Sequence, residues 1–152
     1  MAYLSHIGLL ATLTCVLAGC PDGFIKNGQS CYMELNILST WAEASFYCNQ
    51  FGSHLLTIDS RAEQTAVSSM LSRFPGKFWI GLTDIFHPGT WIWTTSRMSP
   101  TYVHWAPNQP DPQFNCASLD RDHGFNWTSL SCETASDFVC ETIPQDGEQI
   151  IG

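Results

Sequence analysis

The chain has 152 residues, enough for one domain of ordinary size and too few for two. Apolar residues make up 44% of it and charged residues only 13%, which favours a packed core over disorder. Six Lys and Arg against fourteen Asp and Glu give a formal charge of −8, and that balance excludes nucleic acid and anionic lipid as main partners, because both demand a basic footprint.

Ile7 to Leu17 is an apolar run broken only by Gly8, Thr12 and Thr14, and the small residues Ala18 and Gly19 follow it. That is the length of a signal-peptide hydrophobic region and too short to cross a bilayer as a helix. Only His6 stands before it where a cation is usual. The division expected is a signal peptide over 1–19, a domain over 20–142 and a flexible tail over 143–152, with no membrane insertion and an extracellular, secreted location. Leu17-Ala18-Gly19-Cys20 also reads as a bacterial lipoprotein cleavage site. That reading ranks second, because acylating Cys20 leaves an odd number of thiols.

Seven cysteines without a Cys-x-x-Cys pair point to an oxidising compartment rather than a metal motif. Cys15 departs with the signal segment. Cys20, Cys31, Cys48, Cys116, Cys132 and Cys140 remain, and six cysteines allow fifteen pairings that spacing alone does not resolve. Each bridge adds roughly 2–4 kcal/mol by restricting the unfolded chain.

The mature chain reads as α+β. Residues 20–38 suggest two short strands and a turn around Asn27 and Gly28. Thr40-Trp41-Ala42-Glu43 fits a capping box, and Trp41, Ala44, Cys48 and Phe51 share one face at helical spacing, with Gly52 placed to end the helix. Ser60-Arg61-Ala62-Glu63 opens a second helix through about Ser72, with Ala66, Val67, Met70 and Leu71 facing inward and Pro75-Gly76 stopping it. Phe78 to Leu82 is a buried strand, Thr90 to Thr94 alternates with Trp91 and Trp93 on one face, and Phe138-Val139-Cys140 closes the domain. Residues 95–131 are rich in Pro, Asn, Asp, Ser and Gly and are expected to form one long, ordered binding loop.

One ordered set of residues carries a family resemblance. Trp79-Ile80-Gly81-Leu82, Trp91-Ile92-Trp93, Trp105 with Gln109-Pro110-Asp111, then Cys116, Trp127, Cys132 and Phe138-Val139-Cys140-Glu141 together resemble a C-type lectin domain of the secreted, single-domain, perlucin-like kind. The resemblance implies a double-loop fold of two helices flanking two small antiparallel sheets. It implies the bridges Cys48–Cys140, Cys116–Cys132 and Cys20–Cys31. It also implies recognition of extracellular glycans, such as those on microbial surfaces in innate defence.

In calcium-dependent members two adjacent sugar hydroxyls coordinate the ion, so the protein must supply hard oxygen ligands and leave positions open. The family takes them from a Gln-Pro-Asp or Glu-Pro-Asn triplet with a cis proline, a Glu just before the third-last cysteine, and a Trp-Asn-Asp triplet five residues before the next. Here Gln109-Pro110-Asp111 stands in the form that, by resemblance, favours galactose-type sugars, with Gln109 and Asp111 as the surviving metal ligands. Phe114 replaces the expected Glu, and Thr128 and Ser129 replace Asn and Asp. Of three carboxylates one remains, so calcium as a cofactor is in doubt. At the auxiliary position Asp84 matches, while Pro88 and Pro112 stand where carboxylates are expected.

The expected ligand-binding residues are Gln109, Asp111, Trp105, Trp127, Thr128 and Ser129. Trp79, Trp91 and Trp93 read as core. The alternative is a calcium-independent domain binding a protein or mineral surface. Asn126-Trp127-Thr128 is an N-glycosylation triplet, with Trp in the middle position and a nearby disulfide counting against its occupancy; a glycan there, if attached, is expected to sit over the loop site and oppose ligand entry. The sequence has no Gly-x-Ser-x-Gly elbow, His-Glu-x-x-His or phosphate-cradling loop, so no enzyme is expected.

Overall fold

The Thr40 hydroxyl accepts from the Glu43 N–H and the Glu43 carboxylate accepts from the Thr40 N–H, so the predicted capping box starts helix α1 at Trp41–Gln50. Gly52 follows at φ +64°, in the left-handed region that only glycine enters without strain. The computed structural model describes residues 19–145. The predicted signal segment up to residue 18 and the tail from residue 146 lie outside the described residues.

Helix α1 buries Trp41, Ala44 and Cys48, as its spacing predicts. Phe51 departs from that expectation: it is 50% exposed, because the chain has already left helical geometry there to turn at Gly52. Helix α2 (Arg61–Leu71) begins at Ser60, whose hydroxyl accepts from the Glu63 N–H. The box is completed one residue early, since the Glu63 carboxylate accepts from the Asp59 N–H and the Tyr32 hydroxyl. Val67 and Leu71 face the core with Gln64, while Ala66 and Met70 are only partly buried.

The remaining elements are strands. A hairpin of β1 (Ile25–Asn27) and β2 (Ser30–Ser39) lies at one side of the order β1-β2-β8-β4-β6-β7, where β4 is Lys77–Thr83, β6 Cys116–Asp120, β7 Asn126–Leu130 and β8 Ser136–Thr142. Short strands β3 (His54–Leu55) and β5 (Ile92–Trp93) add to β8 and β4. The pairings are antiparallel except β4 with β8, whose contact Phe78↔Asp137 and Trp79↔Phe138 is parallel. That short seam joins two small antiparallel sheets into one path. No helix among the described residues is long and apolar enough to cross a membrane.

The expectation of unbroken loop over 95–131 is corrected. Its second half is the β6–β7 hairpin, paired without a shift from Cys116↔Leu130 to Asp120↔Asn126. The strands escape notice because they carry Ser and Thr where apolar residues are expected. Ser118 and Thr128 lie opposite each other, buried, with their hydroxyls 3.1 Å apart, so each satisfies the other.

Two clusters form the core around this sheet. Phe78, Ile80, Leu82, Val67, Leu71, Trp93 and Trp127 pack on one side, and Trp41, Cys48, Trp79, Phe138 and Cys140 pack on the other. Bridges Cys48–Cys140 and Cys116–Cys132 lie in the second cluster, and Cys20–Cys31 ties the segment before β1 to β2. Gly81 sits where three segments meet: it donates to Leu56 O and accepts from Thr94 N, and a Cβ there would come within 2.9 Å of the Leu55 carbonyl. Gly81→Ala should therefore destabilise the fold by about 1–3 kcal/mol in denaturant unfolding, since the obstacle is backbone.

Tyr32 and Glu34 on β2 share a face with Glu141 and Asp137 on β8, as the register Tyr32↔Glu141 and Glu34↔Val139 requires. Glu34 Oε1 and Asp137 Oδ1 are buried with no hydrogen-bond partner among the described residues. Burial, and then the neighbouring Asp137, raises Glu34 above the usual carboxylate range, against the pull of Arg73; burial alone raises Asp137. A raised folded-state value means the fold takes up these protons more readily than the unfolded chain. The stability involved is present below the ordinary carboxylate range and lost as pH rises through the raised values. Glu34→Gln should raise stability at about pH 7, with the gain vanishing near about pH 4; thermal melts across that range check it.

Candidate functional site

Between β5 and β6 the chain runs from Thr94 to Asn115 without regular structure, and β7 holds it. One edge of β7 pairs with β6. On the other, Trp127 N–H donates to His104 O and Ala106 N–H donates to Trp127 O, both at 2.8 Å. The Trp127 ring is fully buried, with Trp93, Trp105 and Tyr102 edge-on around it and its Nε1 donating to Gln64 Oε1 at 2.8 Å. Gln64 in turn donates to Phe125 O, so α2 is bolted to the same strand.

Further along β7, Ser129 meets the Gln109-Pro110-Asp111 triplet, whose Gln109–Pro110 peptide bond is cis. Gln109 Oε1 accepts from the Ser129 N–H at 2.8 Å, the Ser129 hydroxyl at 2.9 Å and the Asp111 N–H at 3.3 Å. Ser129 Oγ accepts from the Asp111 N–H at 2.8 Å. Asp111 Oδ1 accepts from the Gln113 N–H at 2.9 Å, which closes a turn.

Of the expected site residues, Gln109, Asp111 and Ser129 are thus brought together. Ser129 is itself buried, and it acts on the loop rather than on solvent. Thr128 points to the opposite side of β7, buried against Ser118, and Trp127 is core. Trp105 lies within the loop and is half-buried, edge-on to Trp91 with ring centroids 4.9 Å apart. Sequence reasoning missed His104 and Ala106, which work through backbone groups that no side-chain pattern reveals.

These residues do not fit a calcium ion. A carbonyl oxygen offers two lone pairs, and Gln109 Oε1 already meets three N–H or O–H donors. Asp111 is the one carboxylate among the matching positions, with one oxygen engaged; Phe114 supplies none. At the auxiliary position Asp84 is closed as well. Its Oδ1 accepts from Asn115 Nδ2 at 2.9 Å and its Oδ2 from the Gly89 N–H at 2.7 Å. Calcium needs six to eight oxygens, and of the few that remain protein donors hold all but the second Asp111 oxygen. Among the described residues no group of three or more His, Cys, Asp or Glu is placed to hold a metal.

A concavity of about 520 Å³ is found elsewhere, lined by residues that include Tyr32, Asp59, Glu63 and Glu141 and by none from the loop. Burial raises the Glu141 carboxyl, opposed by the Thr57 N–H that it accepts at 3.0 Å.

Residues 37–142 match the family model described as the lectin C-type domain. Among curated proteins the chain is similar to perlucin of Haliotis laevigata, 36% identical over 129 residues that cover 81% of this chain and 83% of that protein. It is also similar to asialoglycoprotein receptor 2 of Mus musculus, 36% identical over 91% of this chain and 50% of that protein. Among solved structures, a mouse scavenger receptor C-type lectin carbohydrate-recognition domain superposes with a TM-score of 0.77 at 28% identity, over 83% of this chain and 98% of that one. A calcium-independent type II antifreeze protein does so with a TM-score of 0.75 at 26% identity, over 83% and 95%.

Ser129→Ala removes the acceptor of the Asp111 N–H and one donor to Gln109. It should cost about 1–2 kcal/mol in denaturant unfolding and quicken proteolysis between residues 104 and 115, read by mass spectrometry of the fragments.

Proposed function

Because the chain belongs to the C-type lectin domain family, we propose that it is a secreted lectin that recognises glycans through the loop from Thr94 to Asn115 without a resident calcium ion. C-type lectin domains are a carbohydrate-binding family, and binding rather than catalysis is the activity of the fold. The observation that carries the calcium-free reading is the saturation of Gln109 Oε1 by Ser129 and Asp111. Three cross-links and the apolar run at Ile7 to Leu17 support secretion.

The Gln109-Pro110-Asp111 triplet supports a preference for galactose-type sugars. With its oxygen turned into the protein, Gln109 keeps its amide nitrogen as a donor, and the second Asp111 oxygen accepts from a sugar hydroxyl. The half-buried Trp105 belongs to the same loop and offers an aromatic surface to the apolar side of a sugar ring. The similarity to a calcium-independent antifreeze protein favours a second reading, in which the same face binds a non-glycan surface.

A glycan array probed with and without chelator separates these readings. Galactose-terminated glycans should be retained equally in both conditions, and replacing Gln109 and Asp111 together by Ala should weaken retention by about tenfold or more. Loss of retention on chelation overturns the calcium-free reading, and an array without signal favours the non-glycan surface.

A further inference from the structure

We infer that Asn126 carries an N-linked glycan, and that this glycan projects away from the recognition loop instead of covering it. The inference rests on the secretion part of the proposed function and goes beyond it in assigning a modification to one side chain. Asn126-Trp127-Thr128 is the only Asn-x-Ser/Thr triplet in the sequence. Asn126 is the first residue of β7 and only half-buried, just after Gly124 and Phe125, which both lie in the left-handed region at a turn. The polar side chains beside it are engaged elsewhere: Thr128 with Ser118, Trp127 with Gln64, and Asp120 with Lys77 and His123. None of these bonds uses the Asn126 amide.

Strand geometry sets where the glycan goes. Successive side chains on β7 alternate, and its pairing with β6 has no bulge, so Asn126 and Ser129 point to opposite faces. They stand three residues apart, roughly 10 Å along the strand at about 3.3 Å per residue. On this reading a sugar chain at Asn126 leaves the Gln109-Asp111 face of the loop open, unlike the blocking arrangement expected from residue order. The folded strand buries Trp127 fully and Thr128 nearly so, which requires transfer before β7 joins β6. The donor is a lipid-pyrophosphate-linked oligosaccharide. The Asn126 amide nitrogen forms a bond to C1 of the first sugar, the C1–O bond breaks with its electron pair going to the lipid pyrophosphate, and the amide loses one proton to base.

Intact-mass analysis of the full chain from animal cells, before and after treatment with peptide N-glycosidase, tests this. The secreted protein should carry one oligosaccharide increment that the enzyme removes, leaving Asp at position 126. Both Asn126→Gln and Thr128→Ala should lack the increment. The readout is mass, so a variant that fails to fold still reports from the cell-retained fraction. Secreted protein at its bare polypeptide mass overturns the inference and leaves secretion standing. An increment that survives Asn126→Gln overturns it as well. A chain retained in the cytosol at bare mass overturns the secretion reading and this one together.

Discussion

Strand β7 has two edges with a different kind of partner on each, and the loop owes its shape to that difference. One edge is an ordinary antiparallel ladder to β6. The other takes up an irregular segment through two main-chain hydrogen bonds at Trp127 and the cluster at Ser129. An edge strand left bare invites pairing with another chain. Here the protein's own loop covers it, and the covering also positions the Gln109-Pro110-Asp111 triplet. Trp127 serves both purposes, because its backbone holds the loop while its ring fills the core beneath.

The same economy holds the triplet in place where most of the expected calcium ligands are absent. In a calcium site the ion gathers oxygens from separate segments and fixes their relative positions. Ser129 does this with hydrogen bonds: its N–H and hydroxyl draw in Gln109, and its oxygen receives the Asp111 N–H. A serine cannot match the charge of an ion, but it brings no desolvated carboxylates that need neutralising. Asp84, held by Asn115 and Gly89, is closed by the same device at the second position.

Charge is distributed unevenly over the fold. Asp120 is fully buried, and burial alone would raise it, but hydrogen bonds from Lys77 and His123 outweigh that and hold it below the usual range. Among the described residues Glu34 Oε1 and Asp137 Oδ1 have no such partners, and both carboxyls are raised. The two kinds of carboxylate respond to pH in opposite senses: Asp120 favours the fold above its lowered value, while Glu34 and Asp137 weaken it as they ionise.

Much of this was legible in residue order alone. Thr40 and Ser60 marked both helix starts, because a capping side chain acts within one turn and needs no distant partner. Phe78 to Leu82 announced a strand buried on both faces, and six cysteines announced an oxidised scaffold. What residue order could not convey was the β6–β7 hairpin, since Ser118 and Thr128 look like loop residues until they face each other across a ladder. Nor could it reveal that Ser129 would occupy Gln109. Those outcomes depend on which residues 10 or 20 positions apart are brought within hydrogen-bond reach, and only the closed sheet fixes that.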